Sequence, residues 1–201
     1  LHYSIAHYMQ KKYDAEYYAV FDISNKPKKF FQHQELVNLK KSWFYHDEIH
    51  PNEKPDLDYL SKFETKYGIN LWQLAINERT FYRFNEFYKF SDNQILSILE
   101  QECKFFESIL DEVKPTLIIA ERPVYHHSYL FSEICKAKNI KTIFIVQSRL
   151  AYKSILSSDP IQLDSIQDFD HIESKNRNFE ELLDFLKSSN VSNQLKTFKK
   201  N

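Results

Sequence analysis

Two short apolar runs on either side of an amphipathic stretch constrain this chain more than any other feature. Thr116-Leu117-Ile118-Ile119-Ala120 and Lys141-Thr142-Ile143-Phe144-Ile145-Val146 have strand length and are rich in β-branched residues. Between them, Tyr129 to Lys138 gathers its apolar residues on one helical face. The segment 116–146 has the length of one strand–helix–strand unit, about 30 residues. The two strands are therefore expected side by side and pointing the same way. Unbroken apolarity is what strands covered on both faces of a parallel sheet need. The expected fold class is α/β, a parallel sheet flanked by helices. Residues 1–160 would form this domain, and Asp159-Pro160 would end it or turn the chain back. Residues 161–201 are read as a helical extension, or as the start of a linker to an absent second domain.

The remaining pattern agrees with alternating elements. His2 to Lys12 reads as a helix, Ala15 to Ile23 as a strand closed by Ser24-Asn25-Lys26-Pro27, and Lys28 to Gln34 as a short helix. Leu36 to Tyr45 is strand-like, and the acidic stretch His46 to Asp56, with Pro51 and Pro55, is a loop. Leu57 to Tyr67 is a helix ended by Gly68, and Asn70 to Arg79 is a second. The clearest helix is Asp92 to Lys114. Ser91 with Gln94 makes a capping box, Ile95, Leu99, Cys103, Phe106, Leu110 and Val113 form one stripe, and Pro115 stops it. Asn178 to Ser188 is the one persuasive helix of the last third.

Several function classes are excluded at this level. The chain has one glycine in 201 residues, against an average usage of about 7%. Phosphate-cradling loops need glycine for close backbone approach, so neither a P-loop nor a G-x-G-x-x-G turn is present. Cys103 and Cys135 lie far apart and read as core hydrophobes rather than as a disulfide or a cysteine zinc site. A net charge of -1 with both signs interspersed leaves no footprint for nucleic acid. No run of about 18 apolar residues or secretory leader is visible, so no transmembrane segment and a cytoplasmic location are expected.

Ligands of open parallel sheets bind beyond the carboxyl ends of the strands. The loop after the first apolar run holds Glu121, Arg122, His126 and His127, and the segment after the second holds Gln147, Ser148 and Arg149. Catalysis is expected from His126 or His127 as a general base, with Glu121 as its orienting carboxylate. Substrate binding is expected from Arg122, Gln147, Ser148 and Arg149, the guanidinium groups taking an anion in bidentate fashion. The bland alternative is a set of solvated loops with a helix beginning at Ser128.

Weaker motifs are set aside. His46-Asp47-Glu48-Ile49-His50 imitates a zincin motif, but its order is wrong and Pro51 follows at once, so no metal is expected. Asn190-Val191-Ser192 is a chance sequon. In the aromatic run Phe81 to Phe90, the helical spacing of Phe84, Phe87 and Tyr88 points to core packing. Lys26 to Lys29 reads as a solvated turn.

The segment Asp111 to Glu121 followed by Ile134 to Ile145 resembles the strand–helix–strand unit in the N-terminal halves of GT-B-type sugar enzymes. These include glycosyltransferases of surface or capsular polysaccharide synthesis and non-hydrolysing sugar-nucleotide 2-epimerases. The resemblance implies a Rossmann-like domain lacking its first strand, which shapes the acceptor side of a cleft. Its partners would be a nucleotide sugar, gripped mostly by an absent C-terminal domain, and a sugar acceptor. No cofactor is implied, and the fragment alone is expected to be inactive. Half of an epimerase, or a non-catalytic α/β interaction domain, are the rival expectations.

Overall fold

A computed structural model describes residues 2–83, 86–147, 154–162, 164, 176 and 178–188. The fold is mixed α/β and divides into two compact units. The first comprises Leu1–Ile118 and Pro123–Lys141, and the second Ile119–Arg122 and Thr142–Asn201.

In the first unit, α1 (His2–Gln10) leads to β1 (Tyr18–Phe21), α2 (Asn25–His33) and β2 (Lys41–Phe44). The two strands pair in parallel, Tyr18 opposite Lys41 and Phe21 opposite Phe44. Aromatic residues hold this small sheet, with Phe21 stacked on Phe44 at 5.3 Å and packed on Phe31 of α2 at 4.7 Å. The strand expected over 36–45 is confined to Lys41–Phe44, because Gln34 hydrogen-bonds both the N–H and the carbonyl of Val37 and curls the chain before Lys41. Lys28 belongs to the first turn of α2 rather than to a solvated turn, and its ammonium meets Asp47 at 2.5 Å.

A helical turn, α3 (Tyr45–Glu48), follows β2 directly, and the proline-containing segment after it is fastened to the long helix α7 (Asp92–Val113). Gln101 bonds both backbone groups of His50, Ser97 accepts from the Asn52 N–H, and Glu100 accepts from the Asp56 N–H. These bonds explain the buried Ser97 and Glu100 on α7. Next come α4 (Leu57–Tyr67), ended by Gly68 in the left-handed conformation at φ 68°, then α5 (Leu71–Ile76) and α6 (Arg79–Tyr82). The capping box of α7 is present as read, with the Ser91 hydroxyl accepting from the Gln94 N–H at 3.1 Å. Its stripe is the core: Ile95, Leu99, Cys103, Phe106 and Leu110 pack with Leu60, Phe63, Leu71 and Ala75, and with Leu130, Ile134 and Cys135 of α8 (His126–Ala137).

The aromatic run 81–90 departs from the expected core stripe. Phe81 is buried and Phe90 packs against it at 5.6 Å, but Phe87 is 97% exposed and Tyr88 53%. Phe84 lies outside the described residues.

The second unit contains β3 (Ile118–Glu121) except its first residue, with β4 (Thr142–Gln147), β5 (Ser154–Ser157) and α9 (Phe179–Ser188). The strand order is β3-β4-β5. The Ile118 N–H donates to the Lys141 carbonyl at 2.9 Å, so the start of β3 lies against the start of β4 and the two run the same way. β5 is antiparallel to β4, with Gln147 opposite Ser154. The expected single parallel sheet is thus, among the described residues, two small sheets, one of them mixed. β3 is half-buried and not covered on both faces. No described helix is long and apolar enough to cross a membrane.

Candidate functional site

The sequence-predicted residues belong to both units, and two of them lie outside the described residues. Glu121 is the exposed last residue of β3, and Arg122 follows it, also exposed. Gln147 is the last residue of β4, and Ser148 and Arg149 lie outside the described residues. His126 and His127 stand together in the first unit, their rings 5.3 Å apart and nearly perpendicular.

Both histidines belong to the first turn of α8, which begins three residues before the expected Tyr129. Ser128, read as the residue preceding the helix, is inside it, and its hydroxyl reaches back to accept from the Tyr125 N–H at 3.2 Å. The start of α8 thereby fixes two adjacent imidazoles on a helix instead of a loop.

His126 is buried and bonded on both ring nitrogens. Nδ1 meets Glu78 Oε2 and Nε2 meets Glu102 Oε1, each at 2.8 Å. Glu78 Oε2 also accepts the His126 backbone N–H at 2.8 Å, while its other oxygen takes the N–H and hydroxyl of Thr80. Glu102, wholly buried on α7, receives the Tyr45 hydroxyl on Oε1, and its Oε2 has no hydrogen-bond partner. Burial alone would push the His126 imidazole down, but Glu102 and then Glu78 outweigh it and raise it to about 9. Burial likewise opposes ionisation of Glu78, yet the His126 ring and the N–H groups of Thr80 and His126 hold its carboxyl far below the usual range. Burial, with the Glu102 charge, pushes the Tyr45 phenol far up. His126 is therefore an imidazolium held between two carboxylates at neutral pH.

A second layer lies at the carboxyl ends of β1 and β2. Asp22 follows β1, and its two oxygens meet His46 Nε2 and His127 Nε2, each at 3.0 Å. The bond to His127 is the main reason that the Asp22 carboxyl sits below its ordinary value. His127 is sandwiched by aromatic rings, Tyr45 at 4.5 Å and Tyr125 at 5.7 Å. His46 is open, with half of its side chain exposed, against 14% for His127.

Sequence reasoning missed Asp22, Tyr45, His46, Glu78 and Glu102. Signals existed for most of them: Asp22 and Tyr45-His46 sit immediately after strands, where the same carboxyl-end rule applies. Glu102 interrupts the apolar stripe of α7, between Leu99 and Phe106, and a carboxylate on a core face requires a partner. Glu78 carried no such mark.

Comparison with protein families, with curated proteins and with solved structures returns no match. The chemistry of this cluster is therefore the ground for a functional reading.

Proposed function

We propose that this chain is the acceptor-side domain of a glycosyltransferase-like protein of surface polysaccharide synthesis, Rossmann-like in fold, in which an Asp22–His46 pair acts as the general base. The successions β1–α2–β2 and β3–α8–β4, each returning a strand in the same direction, support the fold reading. The single observation that carries the chemistry is the Asp22 carboxylate, at the carboxyl end of a parallel strand, bonded to a half-exposed imidazole.

In this reading Asp22 accepts the N–H of His46 and stabilises the charge that the ring gains when its other nitrogen takes a proton from a sugar hydroxyl. His127 braces the far oxygen of Asp22. His126 is unsuited to the base role, because both its nitrogens already face carboxylates.

The test is turnover of the full-length protein on a panel of nucleotide sugars and sugar acceptors. His46→Ala is expected to lower kcat by roughly 10²- to 10⁴-fold with thermal stability retained. Unchanged turnover would remove the base role. The several carboxylates among these histidines also suit an epimerase half. Product analysis separates the two, because transfer consumes the acceptor and epimerisation does not.

A further inference from the structure

The buried part of the cluster leaves one acceptor unused. The two N–H groups of a charged His126 account for one oxygen each of Glu78 and Glu102, but the second oxygen of Glu102 has no donor in a wholly buried position. An oxygen of this kind is costly to bury unless something electropositive meets it. The described side chains supply nothing further: the Tyr45 hydroxyl and His126 Nε2 both lie on Oε1.

The same carboxylate belongs to a group of side chains spaced as metal ligands can be. One ligand atom each from Glu102, His126 and His127 lies within 4.8 Å of the others. A cation about 2 Å from each ligand needs those atoms roughly 3 to 3.5 Å apart, so side-chain adjustments on the order of 1 Å would close the set around an ion. Each imidazole also has an outer carboxylate: Glu78 on His126 Nδ1 at 2.8 Å, and Asp22 on His127 Nε2 at 3.0 Å. Metal-binding histidines are commonly oriented by such carboxylates, which fix the ring and raise its basicity. For His126 this directs Nε2 at Glu102, where the ligands converge.

We propose that Glu102, His126 and His127 form a site for one first-row divalent cation, Zn²⁺ fitting best, with Glu78 as an outer carboxylate and Asp22 bracing the His127 ring. Two imidazoles and one carboxylate are a recurrent protein ligand set for zinc that leaves a fourth position for water or substrate. The cation would take the place of the proton between His126 Nε2 and Glu102, so that proton leaves to buffer on binding. Glu102 comes from the middle of α7 and the two histidines from the start of α8, so one ion would tie the two central helices together. The zincin-like His46 and His50 take no part. His46 points its Nε2 at Asp22, and the proposed base pair is preserved. The inference stands independently of the glycosyltransferase reading.

The experiment uses the full chain, stripped with a chelator, dialysed, and titrated with zinc chloride by calorimetry. One equivalent should bind. The melting temperature should rise by roughly 5 to 10 °C at a hundredfold excess over Kd, and Co²⁺ should give the intense visible bands of a low-coordinate site. His127→Ala and Glu102→Gln should each weaken zinc binding at least tenfold, whereas His33→Ala, on an exposed residue of α2, should leave it unchanged. If Glu102→Gln fails to fold, His127→Ala and the cobalt spectrum of the unmodified protein still decide the matter. Zinc without effect on melting, a cobalt spectrum matching the aqueous ion, or full affinity in His127→Ala would overturn the proposal. Loss of turnover in His46→Ala with zinc binding intact would uphold both readings. Intact turnover in that variant with zinc still bound would sink only the base role.

Discussion

Replacing Glu78 by alanine removes the carboxylate that takes four hydrogen bonds at the start of α8, two from His126 and two from Thr80. The Glu78 side chain is 3% exposed and that of His126 7%, so water cannot stand in for the missing group without opening the core. Breaking a buried ion pair by deleting one partner costs about 3 to 5 kcal/mol, because the other charge stays buried. Glu102 still meets the second nitrogen of His126 at 2.8 Å, which places the loss near the lower end, about 3 kcal/mol. With a urea m-value of about 2 kcal/mol per molar, the midpoint should fall by roughly 1.5 M. Both tryptophans of the chain, Trp43 on β2 and Trp72 on α5, lie in the first unit, so their fluorescence reports this unit directly. Glu78→Gln keeps an acceptor oxygen and should lose about half as much. Glu16→Ala, which breaks only exposed bonds with Lys40 and the Tyr18 hydroxyl, should leave the midpoint within error. A Glu78→Ala midpoint within about 0.5 M of the unmodified protein would show that the buried network does not carry stability as argued.

Two further outcomes follow from the same packing. In chelator-treated protein the stability from His126, raised from 6.5 to about 9, should be present in full below pH 6.5 and lost as pH rises through about 9, a change of about 3 kcal/mol. Glu78, held low, gives the opposite arm, present above the ordinary carboxylate range and lost as pH falls below it, so denaturant midpoints should be highest between about pH 5 and 6.5. A flat profile from pH 6 to 10 would contradict the charged histidine. Leu99→Ala, at a position with 0% exposure in the centre of α7, should cost about 2 to 5 kcal/mol by calorimetric or denaturant melting. A loss below 1 kcal/mol would mean that the site collapses around the missing atoms.

Local rules reached some parts of this molecule and not others. The α7 helix was legible almost to the residue, because its start is a side-chain bond between Ser91 and Gln94 and its end is forced by Pro115. β3 and β4 were legible as neighbours running the same way, but their cover was not, since burial depends on what else packs there. The start of α8 was misplaced because a serine near a helix terminus can cap from either side, and Ser128 caps from within. β5 has only four residues, and its pairing with β4 is long-range information that no periodicity carries. Of the candidate site, sequence reading located the two adjacent histidines but not the carboxylates that bond them. Glu121 was their neighbour in sequence, whereas Asp22, Glu78 and Glu102 reach them from elements up to 105 residues away.

The most direct measurement is long-range ¹H–¹⁵N NMR of the histidine side chains in chelator-treated protein at pH 7.5. His126 should show both ring nitrogens protonated, with its signals moving only as pH passes about 9, and Glu102→Gln should bring that transition to lower pH. A neutral His126 tautomer at pH 7.5, or a transition indifferent to Glu102, would mean that the imidazole does not lie charged between Glu78 and Glu102.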